Sequence, residues 1–300
     1  MFVAQRSADW IKNYRGRKPF YLQVCIPGPH NPFDSPAEYR AMYRPEDMPP
    51  AILEAIAPPV PPYLKNRGQH SLGPMTECHS RVMRTYYYGK VTLVDAGIGL
   101  VLKALAERGL MDNTWIIYTS DHGELIGDHR LSGKSVFYEG AISVPGIIRP
   151  PGGIKGWQSR GMTDLLDVAA TILDIAGAEP FKKSEGVSLL SRIEAGPDSP
   201  KGQRGKEAIF SEFNLYSMVR IERYKLAVDS LKQIPTELYD LKNDPNELRN
   251  LIEEPAIEKT QQELLDKYLK PLLSHLNKAR ANAFVKSKTD NKKDRLLFND

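Results

Sequence analysis

The chain has 300 residues, 41% of them hydrophobic, and a formal net charge of +4, enough for one large α/β domain and a smaller companion. The excess charge is local, because residues 277–300 carry seven Lys/Arg against three Asp and so account for all of it; a nucleic-acid partner would need a basic face on the folded body. No apolar run approaches the roughly 18 residues of a membrane span, no charged-then-apolar opening marks a secretory signal, and Cys25 and Cys78 alone do not make a disulfide framework.

In chain order, residues 3–15 read as the last turns of a helix, and Pro19 to Ile26 as a buried strand running into Pro27-Gly28-Pro29-His30-Asn31-Pro32-Phe33. Seven prolines within 45–62 predict an extended surface excursion. Val91, Val94, Ile98, Val101 and Leu105 fall at helical spacing, with Gly109 as the stop. Trp115 to Thr119 is β-branched and aromatic, which predicts a buried strand. A polar loop follows, then a strand over Ile142 to Ile148, and an apolar helix from Asp164 to Ala176 ended by Gly177. Near Gly202 the periodicity changes. Short strand-like pieces at 208–213, 218–221, 224–228 and 237–241 predict an antiparallel meander, and Leu264, Leu265, Tyr268, Leu269, Leu272 and Leu276 a terminal helix. The expected division is therefore an α/β domain over 1–200, a mixed sheet between helices, and a small antiparallel α+β subdomain over 201–300.

The polar loop carries the chemistry. Thr119-Ser120-Asp121-His122-Gly123-Glu124 puts a carboxylate and an imidazole at the carboxyl end of a strand, where α/β sheets bind ligands. These are donors suited to a divalent cation. On its own, Asp121 would simply cap a helix, since short motifs have many chance occurrences. Asp128, His129 and Lys134 follow within the same loop and add groups able to hold a metal and an anion. Asp128 reads as a turn residue and Asp95 as solvated, while His70, His79 and His275 have no supporting neighbours.

Four segments in order give the chain a family likeness: Pro29-His30-Asn31-Pro32-Phe33; Tyr86 through Asp112-Asn113-Thr114 to Glu124; Gly133-Lys134 with Tyr138-Glu139-Gly140 and Val144-Pro145; and Glu237-Leu238-Tyr239-Asp240-Leu241 with Asp244-Pro245 and Asn250-Leu251. The chain resembles the sulfatases of the alkaline-phosphatase-like superfamily. The resemblance implies that Asp121 and His122 bind a divalent metal, calcium in most of the family, with manganese or magnesium as the other candidates. It also implies that His30 and Lys134 contact the sulfate or the leaving oxygen. His129, in the same loop, is a further substrate-binding candidate, or braces the loop as a hydrogen-bond partner. The implied substrate is a small-molecule or carbohydrate sulfate ester. A phosphonate monoester hydrolase or phosphodiesterase of the same superfamily would use much the same loop, and a non-catalytic remnant could bind a sulfated ligand without turnover.

The likeness is to the C-terminal portion of the family. Its nucleophile is a formylglycine made from Cys/Ser-x-Pro-x-Arg, and that motif is not found in these 300 residues. Cys25-Ile26-Pro27-Gly28-Pro29 has proline at the arginine position, and Cys78-His79-Ser80-Arg81 lacks the proline. The expectation is a hydrolase by family whose turnover is negligible as this chain alone.

Overall fold

The computed structural model describes residues 1–53 and 75–274, which form two compact units. The first holds residues 1–53, 75–134 and 138–156, the second 135–137 and 157–274. His70, His275, Leu276, the basic tail and the latter part of the proline-rich stretch lie outside the described residues.

The first unit is organised by two helices. α1 (Phe2–Asn13) buries Ala4, Ala8 and Ile11. α2 (Glu77–Glu107) runs for 31 residues, is capped by the Thr76 side chain, and gives way to Gly109 at φ +64, a left-handed conformation that suits a helix end. Ala8, Ile11, Ala104 and Leu105 make their shared core, with Phe20 and Leu22 leaning on it. Residues 19–26, expected as a buried strand, are extended but enter no ladder among the described residues. The alternation is nonetheless visible: Phe20, Leu22, Val24 and Ile26 are half-buried, and Tyr21, Gln23 and Cys25 exposed. Packing against helices satisfies the period of two without a hydrogen-bonded neighbour.

β1 (Ile116–Thr119) pairs antiparallel with β2 (Gly146–Arg149), Thr119 opposite Gly146. The strand expected over 142–148 therefore starts late. Glu139–Ile142 closes a helical turn, and Pro145, with no N–H to give a ladder, marks the last residue before the strand. β1 is half-buried rather than buried, with Tyr118 37% exposed, in a two-stranded sheet.

The second unit opens on α3 (Leu165–Ile175), whose capping box is built by Asp164 and Asp167. Lys206 pairs with both carboxylates, at 2.6 and 2.7 Å. β3 (Ile209–Phe213), β4 (Tyr216–Arg220), β5 (Tyr224–Asp229) and β6 (Ile234–Asp240) form an antiparallel sheet of their own in sequence order. The register slips between Ala227 and Val228, opposite Pro235, a residue that cannot donate to a regular ladder. α4 (Glu258–Leu264) continues through a π-helical turn at Leu265–Leu269. Its Leu264, Leu265, Leu269 and Leu273 close over Val219, Leu226, Val228 and Leu238 to form the second core. The protein is thus of the α/β class, with helices and antiparallel sheets.

Candidate functional site

β1 delivers Ser120, Asp121 and His122 at its carboxyl end, and residues 121–125 take no helical conformation. Asp121 is consequently not a helix cap. The His122 ring faces the Gly123 carbonyl through Nδ1 at 2.9 Å. A carbonyl only accepts, so Nδ1 donates, which in the neutral ring leaves the lone pair on Nε2. That Nε2 lies 3.6 Å from Asp121 Oδ2. An imidazole donating Nδ1–H to backbone while presenting Nε2 is the arrangement found in metal-ligating histidines. The Asp121 side chain is 84% exposed, so its oxygens are accessible to an ion. Among the described residues no group of three or more His, Cys, Asp or Glu gathers around one point; the pair fits as part of a coordination shell.

The loop beyond His122 is clasped at its base. Leu125 N–H donates to the Gly133 carbonyl at 3.0 Å, and Gly133 N–H donates to the Glu124 carboxylate. Between these points the backbone is left-handed at Ile126, Gly127, His129 and Arg130, a concentration of uncommon conformations of the kind that functional loops hold. Gly127, at φ +103, is where the loop meets α2: a Cβ there would lie 2.6 Å from Ser80 Oγ. At Gly123 a Cβ would collide with the Gly140 carbonyl, so the residue after His122 must be glycine for these two stretches to touch. Asp128 does more than turn the chain. It accepts from Ile52 N–H at 2.8 Å and from Arg84 at 2.6 Å, and buried Arg84 also donates to the carbonyls of Pro49 and Pro50. His129 is buried and stacked on Tyr138, centroids 3.9 Å apart.

His30 reaches the same loop from far away in sequence. Its Nδ1 donates to the Asn31 carbonyl at 2.8 Å, which leaves Nε2 as the acceptor, and Lys134 Nζ stands 2.6 Å from that Nε2 across 104 positions. One hydrogen bond between two potentially cationic groups requires a single proton between the facing nitrogens. Phe33 packs edge-on against Tyr87 of α2, centroids 5.6 Å apart. The Tyr87 hydroxyl is pushed up to about 12, by burial first and then by the nearby Glu124 carboxylate. Tyr87 thus touches the His30 segment on one side and feels Glu124, in the loop after His122, on the other.

Two residues of this region escaped the sequence. Arg84 anchors the loop, and Lys90 donates to the carbonyls of His30 and Pro32 and to Asp34 at 2.8, 2.8 and 2.9 Å. The signal available was slight: two cations on an otherwise mixed helix, with no motif around them. Asp95 and His79 are exposed, as are Cys25 and Cys78.

Comparison with known proteins bears on the family. The sulfatase profile matches residues 1–178, and that of the N-sulphoglucosamine sulphohydrolase C-terminal region matches 127–272. An arylsulfatase of Clostridium perfringens is 30% identical over 84% of this chain and 53% of its own length. PehA of Trinickia caryophylli, a multifunctional alkaline phosphatase superfamily protein, is 31% identical over 92% of this chain and 60% of its own. The crystal structure of the phosphonate monoester hydrolase of Agrobacterium radiobacter superposes with a TM-score of 0.78 at 27% identity, covering 91% of this chain and 60% of that one. The chain spans from about half to three-fifths of the length of these relatives. With both profiles in chain order and the first covering more than half of the residues, the chain belongs to the sulfatase family.

Proposed function

We propose that the site formed by His30, Asp121, His122 and Lys134 is that of a sulfate-ester hydrolase acting on sulfated small molecules or carbohydrates. The observation that carries this is the 2.6 Å contact of Lys134 with His30, beside a loop whose base holds the Asp121–His122 pair. Cleavage of a sulfate ester leaves negative charge on the sulfuryl oxygens and on the departing oxygen. Lys134 supplies positive charge and N–H donors to those oxygens, and the proton shared with His30 Nε2 is positioned for transfer to the leaving group. Asp121 and His122 would hold a divalent cation, calcium by family likeness. Such an ion, when bound, would add Lewis-acid stabilisation of the same charge. His129, buried and stacked on Tyr138, would brace the loop that leads to Lys134.

A second reading has its own support. The phosphonate monoester hydrolase structure matches over nine-tenths of the chain, and a phosphonate or phosphodiester develops similar charge on its oxygens. We further propose that residues 1–300 alone turn over neither substrate to a useful extent, because Cys/Ser-x-Pro-x-Arg does not occur among them. The test is to add inorganic sulfate and methylphosphonate separately to the calcium-supplemented chain and measure binding by calorimetry, and to assay an aryl sulfate and an aryl phosphonate beside Asp121→Ala. Saturable sulfate binding that Lys134→Ala weakens supports the first reading; preference for methylphosphonate supports the second. Robust turnover of either ester, lost in Asp121→Ala, would defeat the proposed need for that motif.

A further inference from the structure

Lys90 has an unusual set of partners. It rises from the middle of α2, its side chain only 14% exposed, and it meets the carbonyl of His30, the carbonyl of Pro32 and the Asp34 carboxylate, all within 2.9 Å. An ammonium has three N–H donors and no acceptor. All three are therefore committed to the segment 30–34, and none is left for an anion. Burying most of a lysine side chain is unfavourable unless the charge is fully bonded, and here the bonding is directed at one short stretch of backbone. The Asp34 carboxyl is correspondingly held below the usual carboxylate range, first by its hydrogen bond with Lys90.

Resting on the reading of His30 as a sulfate contact, we infer that Lys90 is a positioning residue for this site: it sets the place and orientation of the His30 ring by fixing the backbone that carries it, without touching the substrate. The alternative for a lysine near a proposed anion site is direct contact with the anion, which three occupied donors oppose. The other alternative is a generic contribution to stability. That is separable, because a stability effect alone would leave the imidazole's tautomer and setting unchanged in the molecules that fold.

The experiment is nitrogen-15 NMR of the histidine rings in the full chain, with His30 assigned by His30→Gln, in wild type, Lys90→Met and Lys103→Met. Lys103 is an exposed lysine of the same helix and serves as the control. In wild type and Lys103→Met, His30 is expected as a single tautomer protonated at Nδ1. In Lys90→Met the ring is expected to average between tautomers, and inorganic sulfate to bind about tenfold more weakly. A His30 signature in Lys90→Met identical to wild type overturns the inference, as does an equal change in Lys103→Met. Should methionine at 90 prevent folding, Lys90→Leu is the second variant and is judged by the same criteria. If wild type fails to bind sulfate, the sulfate reading of His30 falls, while the ring signature still decides whether Lys90 sets the imidazole.

Discussion

At the scale of single residues, the proposed site depends on two histidines whose bonding leaves one ring nitrogen for a further partner. His122 and His30 both spend Nδ1 on a neighbouring carbonyl, which fixes the tautomer and presents Nε2. Removing the cation that faces His30 should therefore be felt in ligand binding rather than in folding. Lys134→Ala is expected to weaken sulfate binding by roughly 1.5–3 kcal/mol, the range for a hydrogen bond to a charged group, measured by calorimetry at fixed ionic strength. Asp121→Ala tests the cation. Wild type should melt at a higher temperature with calcium, since a ligand bound only to the folded state stabilises by mass action; the variant should lose the calcium-dependent increment while keeping its metal-free melting temperature. The candidate pair was legible in the sequence, because Asp-His after a β-branched run is a chemical signature. Lys90 and Arg84 were not legible. Their role lies in reaching carbonyls up to 60 positions away, and a lysine or arginine on a helix carries no local mark of where its head group ends.

Among elements, the loop from 121 to 134 and the cap of α3 illustrate two ways of fixing a chain. The loop holds several left-handed residues, and Gly127 combines such a conformation with contact to α2. Gly127→Ala should destabilise by about 2–3 kcal/mol from backbone strain alone, read as a shift of the urea midpoint at unchanged slope. The α3 cap relies on charge. Burial tends to lower the Lys206 ammonium, yet its hydrogen bonds to Asp164 and Asp167 override this and raise it above its ordinary value. A raised lysine contributes stability that is complete below its unfolded value, about pH 10.4, and lost as pH climbs through the higher folded value. Lys206→Met should thus be less stable than wild type at neutral pH, and the difference should shrink above pH 10.4 in thermal melts. The helices were legible because periodicity and stop signals agree, as at Gly109 and Gly177. The strand limits were less so: Pro145 delays β2, and residues 19–26 have a strand's alternation without a strand's partner, a distinction that depends on neighbours and not on local pattern.

For the whole molecule, the four-stranded meander with its closing helix could be read from its evenly spaced β-branched pieces, whereas the sheet around β1 could not, because the antiparallel partner comes from beyond a long polar loop. The meeting of Lys134 with His30 is equally out of reach of spacing arguments; the family likeness put both on one anion, and the structure supplies their direct contact. The clasp at Leu125, Gly133 and Glu124 adds a consequence for how such sites are found. Because the two ends of the loop are tied to each other, the separation of His122 from Lys134 in space is set by the knot and hardly at all by the number of residues counted between them. A relative could lengthen or shorten the arc between the tied ends and keep the same chemistry. A search keyed to a constant interval would miss such a protein; one keyed to the knot with a histidine before it and a lysine after it would recover it.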